Sequence, residues 1–399
     1  MVSIVPLSIT KPAHPDFWND LAQELGQRQA AGLRRHLALS LPESPRTIRR
    51  DGRSLVHFGS NDYLSLAWHP EVQRAFETAA SQSRVGSAAS PLISGAGSSY
   101  HTLVEILARW KQSQNAMVFS SGYAANIGTI AALATREDVI LSDELNHACL
   151  IDGCRLSRAT VHIYPHADMN ALEQLLRQQR HAYRRCFVVT DTVFSMDGDI
   201  APVHAIQDLC RQYHAMAIAD EAHASGVLGE QGRGVACGQG IDPSLWIRTG
   251  TLSKAIGCSG GFVSGPDVLI QGLSQSARSW IYSTAPPPAV LSAAARGVEL
   301  LCEMDTVRQT LARRSLTLRE GLTALGFKTR ADTTPIVPIY FQHPDEVLSI
   351  SKYLAERGYY IPAIRPPTVP RGTALLRVSL TAAHTDEDIQ GLLESLKKL

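Results

Sequence analysis

The sequence predicts an α/β protein: a mainly parallel seven-stranded sheet in a large domain, followed by a smaller α+β domain. Between residues 115 and 265, seven short β-rich runs alternate with polar or helical stretches, and that alternation marks parallel strands joined by crossover helices. Several runs are continuously apolar instead of alternating, as strands covered on both faces require. After Pro286, Pro287 and Pro288 the pattern turns to long helical periodicity, which opens a second domain.

The elements follow in order. Residues 1–60 carry helical pattern in FWNDLAQELGQRQAAGLRRHL and form an N-terminal helical segment. Residues 61–288 form the large domain. Its strands are AMVFS (116–120), VILSD (139–143), VHIYP (161–165), CFVVTDT (186–192), AMAIADE (215–221), WIRTGTL (246–252) and GFVSG (261–265). Helical patterns such as MNALEQLLRQQRHAY (169–183) and VHAIQDLCRQYH (203–214) lie between them. The small domain, 289–399, opens with one or two helices, followed by strands near 335–341 and 374–380, a helix over 345–358 and a terminal helix over 386–399. Ligands of such a sheet gather at the carboxyl ends of its strands.

With 399 residues, 44% of them hydrophobic and 19% charged, the chain can bury a large core. Thirty-eight basic residues against 37 acidic give a net charge of +1, so no field favours nucleic acid or an acidic membrane surface. The amino terminus shows no secretory leader and no apolar run spans a bilayer, so the expectation is a soluble cytoplasmic protein. The seven cysteines are scattered and form no two-residue pair. Cys149 and Cys154 near His147 invite a metal reading, but a second ligand pair is missing.

Three features carry chemistry. Lys254 follows a strand directly in GTLSKAIGCSGG, where small residues allow close backbone approach. Asp220 ends the strand of AMAIADEAHASG, with His223 three residues on. SSGYAAN (120–126) passes from strand to helix, where free N–H groups of Gly122 and Tyr123 can take a phosphate. An amine, a carboxylate and a phosphate cradle are what pyridoxal phosphate needs: an imine-forming lysine, an acid for the ring nitrogen and an anion site. His147, just after VILSD, can lie flat on such a ring. Taken singly, each has a plainer reading: a surface lysine, a helix-capping aspartate, an ordinary turn, a satisfied histidine.

In combination they gain specificity. FGSNDYLSL (58–66), SSGYAAN, DELNHACLIDG (143–153), TDTVFSMDGDIAP (190–202), ADEAHASGVLGEQGRG (219–234), GTLSKAIG (250–257) and IYSTAPPPA (281–289) together resemble the α-oxoamine synthase family, in order over roughly residues 30–399. That resemblance implies a homodimeric fold-type-I pyridoxal-phosphate transferase that joins an amino acid to an acyl thioester with loss of carbon dioxide. It implies Lys254 as the cofactor's lysine, Asp220 on the ring nitrogen, His147 on the ring, His223 and Ser195 on the phenolic side, and Gly122, Tyr123 and Thr251 on the phosphate. Ser283 and Thr284 are implied to reach the phosphate from a neighbouring subunit, Arg377 to grip the substrate carboxylate with Asn61 nearby, and Arg34 and Thr368 to contact substrate, with Arg35 the alternative to Arg34 because a one-residue slip in LRRHL exchanges them. Within the family, AIRPPTVPRGTALLRVSLTAAHT (363–385) is most similar to the members that use L-alanine and a pimeloyl thioester in biotin synthesis; glycine with acetyl-CoA is the alternative. The chain departs from the family where GSGGSRLVSG is usual: it has GSAASPLISG (86–95), with Ala88, Ala89 and Pro91.

Competing classes fare worse. The DEAH string lacks an accompanying Walker A sequence, so a helicase fails. Gly257–Gly261 fits GxSxG, but a hydrolase elbow needs a helix after the serine and here a strand is predicted. A non-catalytic relative is expected to have lost the lysine, which is present.

Overall fold

The computed structural model describes residues 15–399 apart from 32, 36, 367 and 371. Residues 1–14, which the leaderless reading of the amino terminus concerns, lie outside the described residues. All seven strands of the large sheet form: β1 (Asn115–Phe119), β2 (Val139–Asp143), β3 (Thr160–Tyr164), β4 (Cys186–Asp191), β5 (Met216–Asp220), β6 (Trp246–Thr251) and β7 (Gly261–Gly265). Their order is β1-β7-β6-β5-β4-β2-β3. β7 is antiparallel to both neighbours and the other pairings are parallel. Central strands are buried at every residue, as β2, β4 and β6 show, whereas edge strand β3 alternates.

One face is covered by the helices Gly122–Leu133, Ala148–Ser157 and Asp267–Ser276, whose Ala125, Ile130, Leu150 and Leu273 join Ile140, Val189 and Ile218 of the sheet. The other is covered by Met169–Gln179 and Val203–Gln212 through Leu172, Leu176 and Ile206. The helix starts are written locally. Asp168 accepts from the N–H groups of Asn170 and Ala171, and Ser121 from that of Ala124. No described helix is long and apolar enough to cross a membrane.

The helical run after the three prolines is two helices, Pro288–Leu301 and Asp305–Ala324. The first packs on Pro70–Gln82 and Ser98–Trp110, so it shields the large domain although the expected division at 288/289 places it in the small one. The small domain proper has strands Ile336–Phe341, Ala374–Ser379 and Ala363–Ile364, with helices Pro344–Glu356 and Asp386–Leu396.

The N-terminal segment differs from its helical expectation. Pro15–Ala30 is a helix, but Ser40–Pro42, Thr47–Arg50 and Arg53–His57 are strands, and the last pairs in parallel with Tyr359–Tyr360 of the small domain. The hairpin signal is Asp51-Gly52: both residues have positive φ, 50° and 78°, and Arg50 pairs with Arg53 across them. An Asp-Gly pair is a favoured two-residue hairpin turn.

Candidate functional site

The sheet order sets the site. β6, β5, β4 and β2 are consecutive neighbours running the same way, so the residues at their carboxyl ends stand in a row: Thr251 at the end of β6 and Lys254 after it, Asp220 at the end of β5, Asp191 at the end of β4, and His147 just after β2. Open α/β sheets bind ligands along this edge.

Lys254 is half-buried and its Nζ lies 2.8 Å from His223 Nε2. Burial lowers its pKa below the ordinary lysine value, with Asp220 and Asp191 opposing. His223 is buried, and burial followed by the charges of Lys254 and Arg377 pulls its pKa well below the usual one. Its other nitrogen, Nδ1, is 2.7 Å from the Tyr63 hydroxyl. Asp220, 4% exposed, accepts from the Ala222 N–H at 2.8 Å and from Asn126 Nδ2 at 2.7 Å. Asn126 is itself held by Thr249 Oγ1 at 2.6 Å. Asp191 accepts from the His147 N–H at 2.7 Å, and burial, then the Asp220 charge, push its pKa well above the carboxylate range. The His147 side chain is exposed, and its Nδ1 meets Cys149 Sγ at 2.9 Å.

Gly122 opens its helix against Thr251: a Cβ there would stand 3.0 Å from Thr251 Cβ. Bare backbone N–H groups beside a hydroxyl make an anion cradle. Tyr123 is exposed, packs edge-on to His147 and donates its hydroxyl to Asp152. Arg377, 6% exposed, reaches from Ala374–Ser379 into the same place. Its Nε donates to the Ser195 carbonyl at 2.5 Å and its Nη1 to Asn61 Oδ1 at 3.2 Å.

Four predicted residues stand apart from this cluster. Arg35, not Arg34, reaches Thr368, with Nη2 3.2 Å from its Oγ1; the Arg34 carbonyl accepts from Arg365. Ser283, half-buried, and Thr284, exposed, follow the short helix Arg278–Ile281. The GSAASPLISG loop packs on that same stretch, the Ala285 N–H donating to the Ala89 carbonyl at 3.0 Å and Ser87 Oγ to the Pro286 carbonyl at 2.7 Å. The GxSxG sequence is the bend between β6 and β7, closed by the Leu252 N–H on Gly260 O. No helix follows its serine, so no nucleophile elbow exists.

Tyr63, Asn126 and Asp191 escaped the sequence reading. Asp191 had a signal, since it ends an apolar strand run as Asp220 does. Asn126 sits four residues after Gly122, on the same helix face.

The comparisons agree with this geometry. Over residues 53–396 the sequence matches the family described as aminotransferase class I and II. The chain belongs to the class I and II aminotransferase family. Within it, an 8-amino-7-oxononanoate synthase from Marinobacter nauticus is 45% identical over 381 residues, covering 95% of this chain and 96% of that protein. One from Geobacter sulfurreducens is 43% identical over 381 residues, covering 95% and 97%. A serine palmitoyltransferase from S. paucimobilis, solved with a bound PLP-myriocin aldimine, superposes with a TM-score of 0.90 at 27% identity, covering 97% of this chain and 98% of that one. An 8-amino-7-oxononanoate synthase from Francisella tularensis gives a TM-score of 0.75 at 28% identity over 86% and 97%. This family is pyridoxal-phosphate-dependent, and the cradle of Gly122 and Thr251, the buried Asp220 carboxylate and the Lys254 amine fit that cofactor.

Proposed function

We propose that this chain condenses L-alanine with a pimeloyl thioester, on CoA or a carrier protein, to give 8-amino-7-oxononanoate, carbon dioxide and the free thiol. The observation that carries the reading is near-full-length identity above 40% to 8-amino-7-oxononanoate synthases of two bacteria. The clustering of Lys254, His223, Asp220 and Arg377 around one sheet edge supports it.

Lys254 is the residue to hold PLP covalently, Asp220 to pair with its ring nitrogen, and His147 to lie on its ring. Gly122, Tyr123 and Thr251 take its phosphate, and His223 and Ser195 its phenolic oxygen. When bound, PLP supplies the electron-poor ring that accepts the charge left on alanine's α-carbon. Arg377 grips the alanine carboxylate and sets which α-carbon bond stands perpendicular to that ring. Its guanidinium is braced by the Ser195 carbonyl and Asn61, so little orientation is lost on binding. Once alanine's amine has replaced it on the cofactor, the freed Lys254 Nζ would take the α-proton and return one after carbon dioxide leaves. Its burial favours the neutral amine this step needs. The buried flank of Tyr63, Asp220 and His223 keeps water off the reacting carbon.

Substrate contacts at the entrance come from Thr368, with Arg34 or, as its contact with Thr368 favours, Arg35. The protein works as a cytoplasmic homodimer, with half-buried Ser283 and exposed Thr284 completing the phosphate site of a second copy. The test is steady-state CoA release. Alanine with pimeloyl-CoA is expected to be far faster than glycine with acetyl-CoA, and the opposite preference refutes the substrate assignment while leaving the cofactor chemistry in place.

A further inference from the structure

We propose that Tyr63 is a positioning residue: its hydroxyl accepts the Nδ1 proton of His223 and so keeps Nε2 free to take a hydrogen bond from Lys254. The proposal rests on the reading above that Lys254 and His223 face the cofactor.

Four contacts stand in series. Lys254 Nζ is 2.8 Å from His223 Nε2, His223 Nδ1 is 2.7 Å from Tyr63 Oη, Tyr63 Oη is 3.3 Å from Asn61 Oδ1, and Arg377 Nη1 is 3.2 Å from the same oxygen. Tyr63 is 0% exposed and His223 5%, so both depend on partners within the protein. The titratable groups facing this pair are Lys254, Arg377 and His147 on His223, and Asp220, Asp191, Arg377 and Cys149 on Lys254. Burial, then the charges of Lys254 and Arg377, favour the neutral form of His223, which carries a single ring N–H.

The direction of the series then follows from donor and acceptor inventory. Lys254 Nζ carries N–H donors in either charge state, so the contact pairs one of them with His223 Nε2 as acceptor and the ring proton sits on Nδ1. That N–H needs a buried acceptor, and Tyr63 Oη is placed for it. The Tyr63 proton passes on to Asn61 Oδ1, whose two lone pairs also take the Arg377 N–H. Each contact of the series thereby joins a donor to an acceptor, and the tautomer at His223 is set by the bond at its far nitrogen. Tyr63→Phe keeps the ring's shape and strips out the acceptor that Nδ1–H finds among the described residues. An orphaned buried N–H is among the rarest features of folded proteins, so the ring proton moves to Nε2, where it confronts the Lys254 donors.

The experiment is 15N NMR of the histidine rings in cofactor-free protein at neutral pH, with His223 assigned by its loss in H223Q. The native protein is expected to show His223 as the Nδ1–H tautomer. In Tyr63→Phe the ratio is expected to move at least fivefold toward Nε2–H, and after PLP loading kcat falls about tenfold with the KM for alanine within about twofold. An Nε2–H tautomer in the native protein overturns the proposal, whether or not the variant folds. So does an unchanged tautomer ratio in a folded variant. A wrong substrate assignment shows in the CoA-release assay and leaves these ring signals untouched, so the two failures are separable.

Discussion

Replacing Asp220 by asparagine keeps the side-chain shape and removes its charge, and the surroundings show why the change is costly. Both carboxylate oxygens are acceptors: Oδ1 takes the Ala222 N–H at 2.8 Å and Oδ2 takes Asn126 Nδ2 at 2.7 Å. An asparagine can satisfy one of them. If its oxygen stays with Ala222, its amide nitrogen confronts that of Asn126. Asn126 can turn only if Thr249 Oγ1, which donates to its oxygen at 2.6 Å, gives its proton instead to the Ala219 carbonyl at 3.2 Å. Either one buried donor is left facing another or the short Thr249 bond is exchanged for the longer one, a cost of about 1–3 kcal/mol in stability, partly offset because Asp191 loses a charged neighbour. In catalysis, removing the charge opposite the cofactor's ring nitrogen costs on the order of 3 kcal/mol, or about a hundredfold in kcat. The assay is kcat under saturating PLP, alanine and pimeloyl-CoA, run beside urea denaturation so that lost activity is measured on folded protein. A folded variant with more than about half the native turnover refutes the role given to Asp220.

Other perturbations probe the rest of the molecule. Lys254→Ala is expected to fold and to lack any borohydride-reducible bond to PLP, read as no retained absorbance after reduction and gel filtration; a native-like retained chromophore contradicts the assignment. His166 bridges Asp143 at 3.0 Å and Asp199 at 2.7 Å; burial works against its charge, but these bonds outweigh burial and push its pKa up to about 10. A folded pKa above the unfolded value means that the stabilisation is complete below about pH 6.5 and fades as pH rises through about 10. Against His166→Gln, the native protein should therefore show a stability advantage of about 1–3 kcal/mol at pH 6 that shrinks by pH 10, and a gap that widens with pH counts against the bridge. Gly234→Ala should cost about 4 kcal/mol or more, since at φ 105° its Cβ would overlap the Glu221 carboxylate, which is buried against Lys111 at 3.6 Å; soluble protein with native melting behaviour would contradict this.

How much of the site was legible depended on how local its signals are. Strand ends announce themselves by the close of an apolar run, which is how Asp220 and Lys254 could be found in AMAIAD and WIRTGTLSK. Tyr63 gave no such signal. It lies in FGSNDYLSL as one more aromatic, and its importance arises from a histidine 160 positions away. The choice between Arg34 and Arg35 was open for the same reason: two adjacent arginines have one local pattern, and only the approach of Thr368, 333 positions from Arg35, separates them.

The sequence by itself determined the alternation of strands and helices, the continuous apolar runs of a sheet buried on both faces, and the helix caps, because each depends on side chains a few residues apart. It also determined which residue types could serve as amine, carboxylate and phosphate cradle. The tertiary structure decided which strands are neighbours, and so placed Thr251, Asp220, Asp191 and His147 in one row. It joined Arg53–His57 to Tyr359–Tyr360, and it brought Arg377 onto Asn61 across 316 positions. Contacts at such separations follow from how whole elements bury their apolar faces against one another, and no short stretch of chain carries that information.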